Sequence, residues 1–526
     1  MPHIYKKINL GFKDNVPNLL KKTFLSPIDV LTVKKLLLGI SRFARIKQKA
    51  IPIIILLFFI FFYIGVSRYP YNSDTIVTTY LPVNIIRGAG FSLKKLYPYL
   101  NTILPTKLDA NNLPYYITQK DTYFFSTFPV FSAILALPIY ILPVLIKNIR
   151  VENLANHFAT ITFLGTLSAS IFSSISAVFV FLSLSRLTNR FKSIILCLIY
   201  GLGTSTLSIS SQSLWQHGAS QMFLSISLYF FIRGQKEKKL IGVTGLFLGL
   251  AVLSRFINVV ISAAFAMYLL MFQRKQIIKF IIYCMPSVLI FVMIQFASTG
   301  SLFFYKYEGL SGNAAFSYPF LKGFFGLLFA PSKGLLVYSP IFLFSIIGAA
   351  LAFLKKDRVL QFVSIVSILF TFVMAKWTGW QGGWFYGPRM LADITPFLIL
   401  LIVPVVENKI WNYKLFKIIF FLLALISISI HLLGASHIDL GWYQLQTMFL
   451  SEEKASSADF LWSIKYPEIY YYYLHAGGFF GTVNLFFHAL LNVLLTMIKG
   501  TAILALTYII ARFLKEMISR TLKLRS

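Results

Sequence analysis

Long apolar runs follow one another from residue 51 to residue 510, separated by short polar breaks. Each is close to the ~17–25 residues that a helix needs to cross a hydrocarbon core about 30 Å thick. The runs are continuous, not alternating, which predicts helices and not the strands of a barrel. Only 13% of the 526 residues are charged, against about a quarter in a soluble domain. One large soluble core would not produce so many runs of this length. The chain therefore reads as an all-α polytopic membrane protein with about twelve transmembrane helices.

A net charge of +32 invites a nucleic-acid reading, but the placement of the charge argues against it. The excess sits in short segments between runs, as the positive-inside tendency requires. Spans are expected near 50–66, 158–185, 193–208, 219–232, 240–253, 256–272, 277–296, 335–353, 359–375, 390–405, 415–433 and 487–513. With the N-terminus inside, the cytoplasmic turns carry Arg186, Arg190 and Lys192, then Arg233, Lys236, Lys238 and Lys239. They continue with Arg274 and Lys275, Lys355, Lys356 and Arg358, Lys409 and Lys414, and the tail from Arg512. The expected location is a plasma (inner) membrane with both termini cytoplasmic.

The first fifty residues hold eleven Lys or Arg against Asp14 and Asp29. Segment 1–49 is therefore expected to be a cytoplasmic juxtamembrane region drawn to anionic membrane lipid, in part amphipathic over 30–46. The first apolar run starts too late for a cleaved secretory signal and reads as a retained anchor. Cys197 and Cys284 both fall inside expected spans and predict neither a disulfide nor a metal site.

A further apolar run, 128–146, would spoil the parity if it crossed. Pro129, Pro138 and Pro143 favour a broken element, so it is expected as a re-entrant or interfacial helix on the outer face. Long outer segments remain at 67–127, 297–334, 376–389 and 434–485. They are aromatic and punctuated by Gly and Pro, and long ordered loops carry function or pack as a cap. Residues 486–526 form the last span and a basic tail.

Several residues in these segments can carry chemistry. Asp74, beside Tyr71 and just outside the first span, suits a general base on a hydroxyl, or the N-cap of a helix through Ile86. Asp121 leads toward the 128–146 helix and reads as a second carboxylate, or as a cap or partner of Lys120. Arg255 interrupts the apolar stretch 240–272 at an outer end. A guanidinium there suits a phosphate, or snorkels to headgroups. Trp377, Trp380, Trp384 and Tyr386 stand among glycines just before Arg389 and Asp393. They are candidate walls for a sugar or lipid, or belong to an aromatic belt. Arg389 and Asp393 have the i, i+4 spacing of a helical ion pair. Trp215 and His217 open a span from outside, where His217 suits a phosphate or hydroxyl, or a structural role. Lys306, Glu308, Lys322, Lys333 and Lys376 add net positive charge to the outer face, against the usual trend. No metal-ligand spacing, phosphate-cradling glycine loop or nucleophile elbow is present, and no cofactor is expected.

Taken in order, these features resemble a known superfamily. One span is followed by a long outer loop opening with an acid, Asp74, and closing at Phe128-Pro129. Then come Leu214-Trp215-Gln216-His217-Gly218, the segment 245–256 ending in Arg255-Phe256, the segment 326–340 with Lys333, and Trp380 through Arg389. Over 50–433 the chain resembles the GT-C glycosyltransferases, in particular bacterial relatives of the protein O-mannosyltransferases and of the lipid A aminoarabinose transferase. The resemblance implies an inverting transfer of sugar from a polyprenyl-phosphate donor to a lipid, glycan or protein acceptor on the non-cytoplasmic face. It implies Asp74 as base, with Asp121 the next carboxylate. Arg255, Arg389 and Lys333 would hold the donor phosphate without a metal, and Tyr71, Trp215, His217, Trp380, Trp384 and Tyr386 would line the pocket. Two other classes stay open: a transporter or flippase of lipid-linked glycans, which predicts repeated halves that are not evident here, and a non-catalytic scaffold of the same fold.

Overall fold

A computed structural model describes residues 50–67, 73–103, 112–302, 315–383, 385–436, 441–448 and 459–523. The basic segment 1–49, with its expected amphipathic stretch, and Tyr71, Trp384, Lys306 and Glu308 lie outside the described residues. The chain divides into residues 1–54 and 55–526, and of the first unit only the opening of the helix Ala50–Val66 is described.

The architecture is almost wholly helical. Among the described residues six helices are long and apolar enough to cross a membrane. They are Val151–Leu187, Arg274–Thr299, Arg358–Lys376, Arg389–Val406, Lys414–Ser436 and Gly478–Ile503. Shorter apolar helices include Phe131–Ile146, Phe256–Phe272 and Pro340–Leu354, and Arg190–Leu202, Gln216–Gly234 and Ile241–Ser254 are also helical. The protein is thus membrane-embedded. Arg389–Val406 lies at the centre, with 94% of its apolar window buried. Arg274–Thr299 and Gly478–Ile503 bury only 11% of theirs and present apolar surface for lipid.

The helix Phe158–Leu187 shows why the core holds together. It carries a dense series of buried hydroxyls, among them Thr166, Ser168, Ser170, Ser174 and Ser176. In a medium without water each must find an internal partner. Ser168 and Ser174 donate to the carbonyls of Leu164 and Ser170 one turn back. Thr166 and Ser170 donate across to the carbonyls of Gln212 and Ser211, and Ser176 shares hydrogen bonds with Tyr200 and Ser225. Hydroxyls of this kind join helices where apolar contact gains nothing over lipid.

The expected span 193–208 is interrupted. Arg190–Leu202 stops before Gly203, and a short π-helical turn, Thr206–Ser210, follows. Its loosened backbone is braced from a second break, at Ser339, and from His431 in the helix Lys414–Ser436. Ser339 Oγ donates to the Gly203 carbonyl (3.1 Å), so it accepts from His431 Nε2 (2.8 Å), and Nδ1 then accepts from Ser208 Oγ (2.8 Å). His431 is fully buried, and these hydroxyls fix one tautomer. His431→Leu is expected to cost about 1–3 kcal/mol by stranding the Ser208 hydroxyl. A lower midpoint of thermal unfolding in detergent would show this, and an unchanged midpoint would show that the brace carries no load.

The basic turns gather at one end of the bundle. Lys192 pairs with Glu407 (2.8 Å), Gln273 donates to Gln235 (2.7 Å), and the Arg358 guanidinium lies 6.0 Å above the Phe272 ring. The opposite helix ends carry Trp215, Arg255 and Arg389. There the first connecting segment folds as a helix over Ser73–Ile86, a short helix Tyr97–Ile103 and a two-stranded hairpin that the sequence pattern did not announce. Ile117–Lys120 pairs antiparallel with Tyr123–Ser126, with Lys120 opposite Tyr123. Asp121 and Thr122 form the two-residue turn, Asp121 at φ +51°, the left-handed region such turns demand. The helix Phe131–Ile146 follows. Its Phe131 packs against Phe223 (6.1 Å) and Lys147 at its end donates to Thr160. Within 434–485 the described residues form the helices Gly441–Met448, Asp459–Trp462 and Glu468–His475. The last helix begins earlier than expected, at Gly478, and continues to Lys523.

Candidate active site

The site is organised by one short stretch, 385–394. Gly387 has φ +67° and lies where a Cβ would strike the Tyr338 ring, so only glycine fits. Pro388 follows, and Arg389–Ile394 winds as a 3₁₀ helix. That detail overturns the expected Arg389–Asp393 pair. In an α-helix residues i and i+4 lie about 40° apart around the axis, but in a 3₁₀ helix about 120°. The two side chains diverge and each pairs with a different element.

Arg389 reaches the first segment. Its Nη1 donates to Asp74 Oδ2 (2.6 Å), and Tyr115 donates to Asp74 Oδ1 (2.5 Å). The guanidinium packs on one side of a touching pair of rings, 4.7 Å from Trp215 and 4.7 Å from Phe385, whose centroids are themselves 4.8 Å apart. Arg389 is 9% exposed and its buried Nε has no partner. A planar cation with an unused donor, packed against two aromatic rings, is suited to a further anion. Asp74 lies in the first turn of its helix, with its carboxylate committed to Tyr115 and Arg389.

Asp393 reaches the other way. Fully buried, it accepts from Arg255 and from Ser220. Asn258 donates to Ser220 (2.7 Å), and His217 Nδ1 stands 3.6 Å from the carboxylate. This corrects the assignment of Arg255 to a donor phosphate: its charge is balanced internally, and its Nη2 points to the Met390 sulfur. His217, 1% exposed, belongs to the same buried cluster and offers no open surface.

Lys333 is corrected in the same way. It is buried, donates to the Phe385 carbonyl, and pairs with Glu468 (3.3 Å). Burial pushes the Lys333 amine below and the Glu468 carboxyl above their usual ranges, and their mutual attraction opposes both shifts. Glu468 was missed by sequence reasoning. Its one signal is a lone acid inside an aromatic run, Tyr466 to Tyr473.

Two expected pocket walls are core residues. Tyr386 is buried, donates to the Ile430 carbonyl, and packs against Tyr338, Tyr472 and Gly434. Trp380 is buried against Gly326 and Tyr318. Asp121 is exposed in its hairpin turn and is not joined to the Asp74 group. Of the expected site residues, the structure brings together Asp74, Arg389 and Trp215, and it adds Tyr115 and Phe385.

An apolar cleft lies beyond Phe128 from this group. It runs between Leu81, the strand end at Phe125–Phe128, Leu253, Phe256, and the Phe291–Thr299 part of the long exposed helix. Phe128 lines it and sets its ring edge-on to Tyr115 (6.2 Å), the residue that holds Asp74. Gln295, Ser298 and Thr299 add polar atoms. Among the described residues no three His, Cys, Asp or Glu side chains gather to hold a metal ion. No family model matches the chain, and no curated protein matches it.

Proposed function

We propose that the protein is an inverting glycosyltransferase of GT-C type, with about twelve spans, that moves a sugar from a polyprenyl-phosphate donor to an acceptor hydroxyl at the outer membrane face. The observation that carries this is the Asp74–Arg389 pair. A carboxylate and a guanidinium with a free buried donor sit together, and Phe128, which packs against the Tyr115 that holds the carboxylate, lines an apolar cleft. This is the pairing the chemistry needs. The acceptor oxygen attacks the anomeric carbon as the bond from that carbon to the phosphate oxygen breaks. Asp74 takes the acceptor proton, and the electron pair leaves on the phosphate. Arg389 stabilises the charge that gathers there. The products are the glycosylated acceptor and the polyprenyl phosphate, and the configuration at the anomeric carbon inverts. The cleft suits the isoprenoid chain next to the phosphate, and Trp215 and Phe385 pack against the cation.

The test is sugar transfer by purified protein in lipid, from radiolabelled polyprenyl-phosphate sugars to a membrane extract. Labelled product from any donor supports the class. The closed pairing of all three site acids favours one other reading, a non-catalytic brace of the same fold. Absence of transfer together with absence of polyprenyl-phosphate binding would leave that reading standing.

A further inference from the structure

We infer that Glu468 is a positioning residue for Arg389, so that the helix Glu468–His475 forms part of the site. The inference rests on the reading that Arg389 engages the donor phosphate. Glu468 is 2% exposed and draws three donors from two separate parts of the chain, 333–338 and Gly387. Lys333 reaches both its oxygens (3.3 Å), Tyr338 donates to Oε2 (2.6 Å), and so does the backbone amide of Gly387 (3.0 Å). Its own amide is fixed by Ser332 Oγ (3.2 Å).

These bonds converge on the residues just before Arg389. Glu468 holds the Gly387 amide directly, and through Lys333 it holds the Phe385 carbonyl. Phe385 supplies one of the two rings against the guanidinium, 4.7 Å away. Both the backbone entry to Arg389 and the ring beneath it are therefore set by a carboxylate 81 residues further on than Gly387. Stability alone is a poor reason for such a pair. A buried ion pair contributes little net over apolar side chains of the same volume, and its better-supported use is to fix one geometry. Gly387, at φ +67°, is a flexible residue that needs such fixing.

The experiment uses the full chain in lipid nanodiscs, with Glu468→Gln, Glu468→Asp and the double variant Lys333→Met/Glu468→Gln. The readouts are donor KM, kcat, and the Kd of a short-chain polyprenyl monophosphate. Phe265→Ala, which removes a buried ring packed against Phe231 and Phe362, serves as a control that lowers stability away from 385–389. Glu468→Gln is expected to raise both donor KM and the monophosphate Kd about tenfold, the scale of a small misplacement of a binding group, with kcat little changed. Glu468→Asp recovers part of the affinity. The double variant removes both charges, so it is not burdened by an unpaired buried ion, and it keeps the loss.

Wild-type KM and Kd in folded Glu468→Gln and in the double variant would overturn the inference. So would an equal rise in Phe265→Ala, which would mark the effect as loss of stability. Wild-type protein that binds the monophosphate but transfers no sugar would remove the transferase reading alone, because the Kd comparison still decides the role of Glu468. Wild-type protein that neither binds nor transfers would remove both.

Discussion

Asp74→Asn is expected to abolish sugar transfer while leaving the protein folded and able to bind polyprenyl phosphate. The amide is nearly the same size as the carboxylate. Its oxygen still accepts from Arg389, and its NH₂ faces the Tyr115 oxygen, which accepts as well as donates. The local hydrogen bonds therefore survive, but the group no longer takes a proton. Loss of a positioned general base lowers the rate by roughly 10²–10⁴-fold. The substitution also leaves Arg389 without its counter-charge, so an anion at the unused Nε meets a stronger field. The expected signature is a collapse of kcat with an unchanged or tighter Kd for a polyprenyl monophosphate. Transfer that persists in Asp74→Asn would exclude Asp74 as the base. Weaker monophosphate binding would instead assign the pair a structural role.

Much of the architecture is legible in the sequence because lipid imposes a strong constraint. An apolar run of span length has few alternatives to a helix, and every expected run between 50 and 513 contains one. Length is where the reading weakens. The run 193–208 breaks at Gly203 and the π turn, and the Ser- and Thr-rich composition that permits the break also reads as an ordinary polar helix face. The hairpin at 117–126 escaped notice because its strands are four residues each, too short for alternation to show.

The site divides along a different line. Asp74, Arg389 and Trp215 stood out as charged or aromatic residues at helix ends, and the structure joins them. Arg255 and Lys333 stood out for the same reason and turned out to be balanced by Asp393 and Glu468. A sequence records that a cation is present at a membrane boundary. It does not record whether an acid 138 or 135 positions away closes on it. The 3₁₀ winding of Arg389–Ile394 is equally hidden, because the i, i+4 spacing that suggests an internal pair holds only for an α-helix.

The Arg255–Asp393 pair carries the largest stability effect expected here. Asp393 is 0% and Arg255 4% exposed, and the guanidinium terminates the helix Ile241–Ser254 inside an apolar bundle. Asp393→Ala strands that charge together with Ser220, which donates to the same carboxylate and itself accepts from Asn258. Removing one member of a buried pair costs about 3–5 kcal/mol, and the absence of water in the bundle favours the upper part of that range. Asp393→Ala is therefore expected to lower sharply the midpoint of thermal unfolding in detergent. The double variant Arg255→Met/Asp393→Ala removes both charges and is expected to regain much of the loss. The gap between the double variant and the sum of the singles measures the coupling. Simple additivity would show that the two charges do not sense each other, and Arg255 would then return as a candidate for an external anion. Strong coupling fixes the division of labour: Asp393 and Arg255 anchor the 3₁₀ turn to the bundle, Glu468 and Lys333 hold its entry, and Arg389 is the cation with a donor left to offer a phosphate.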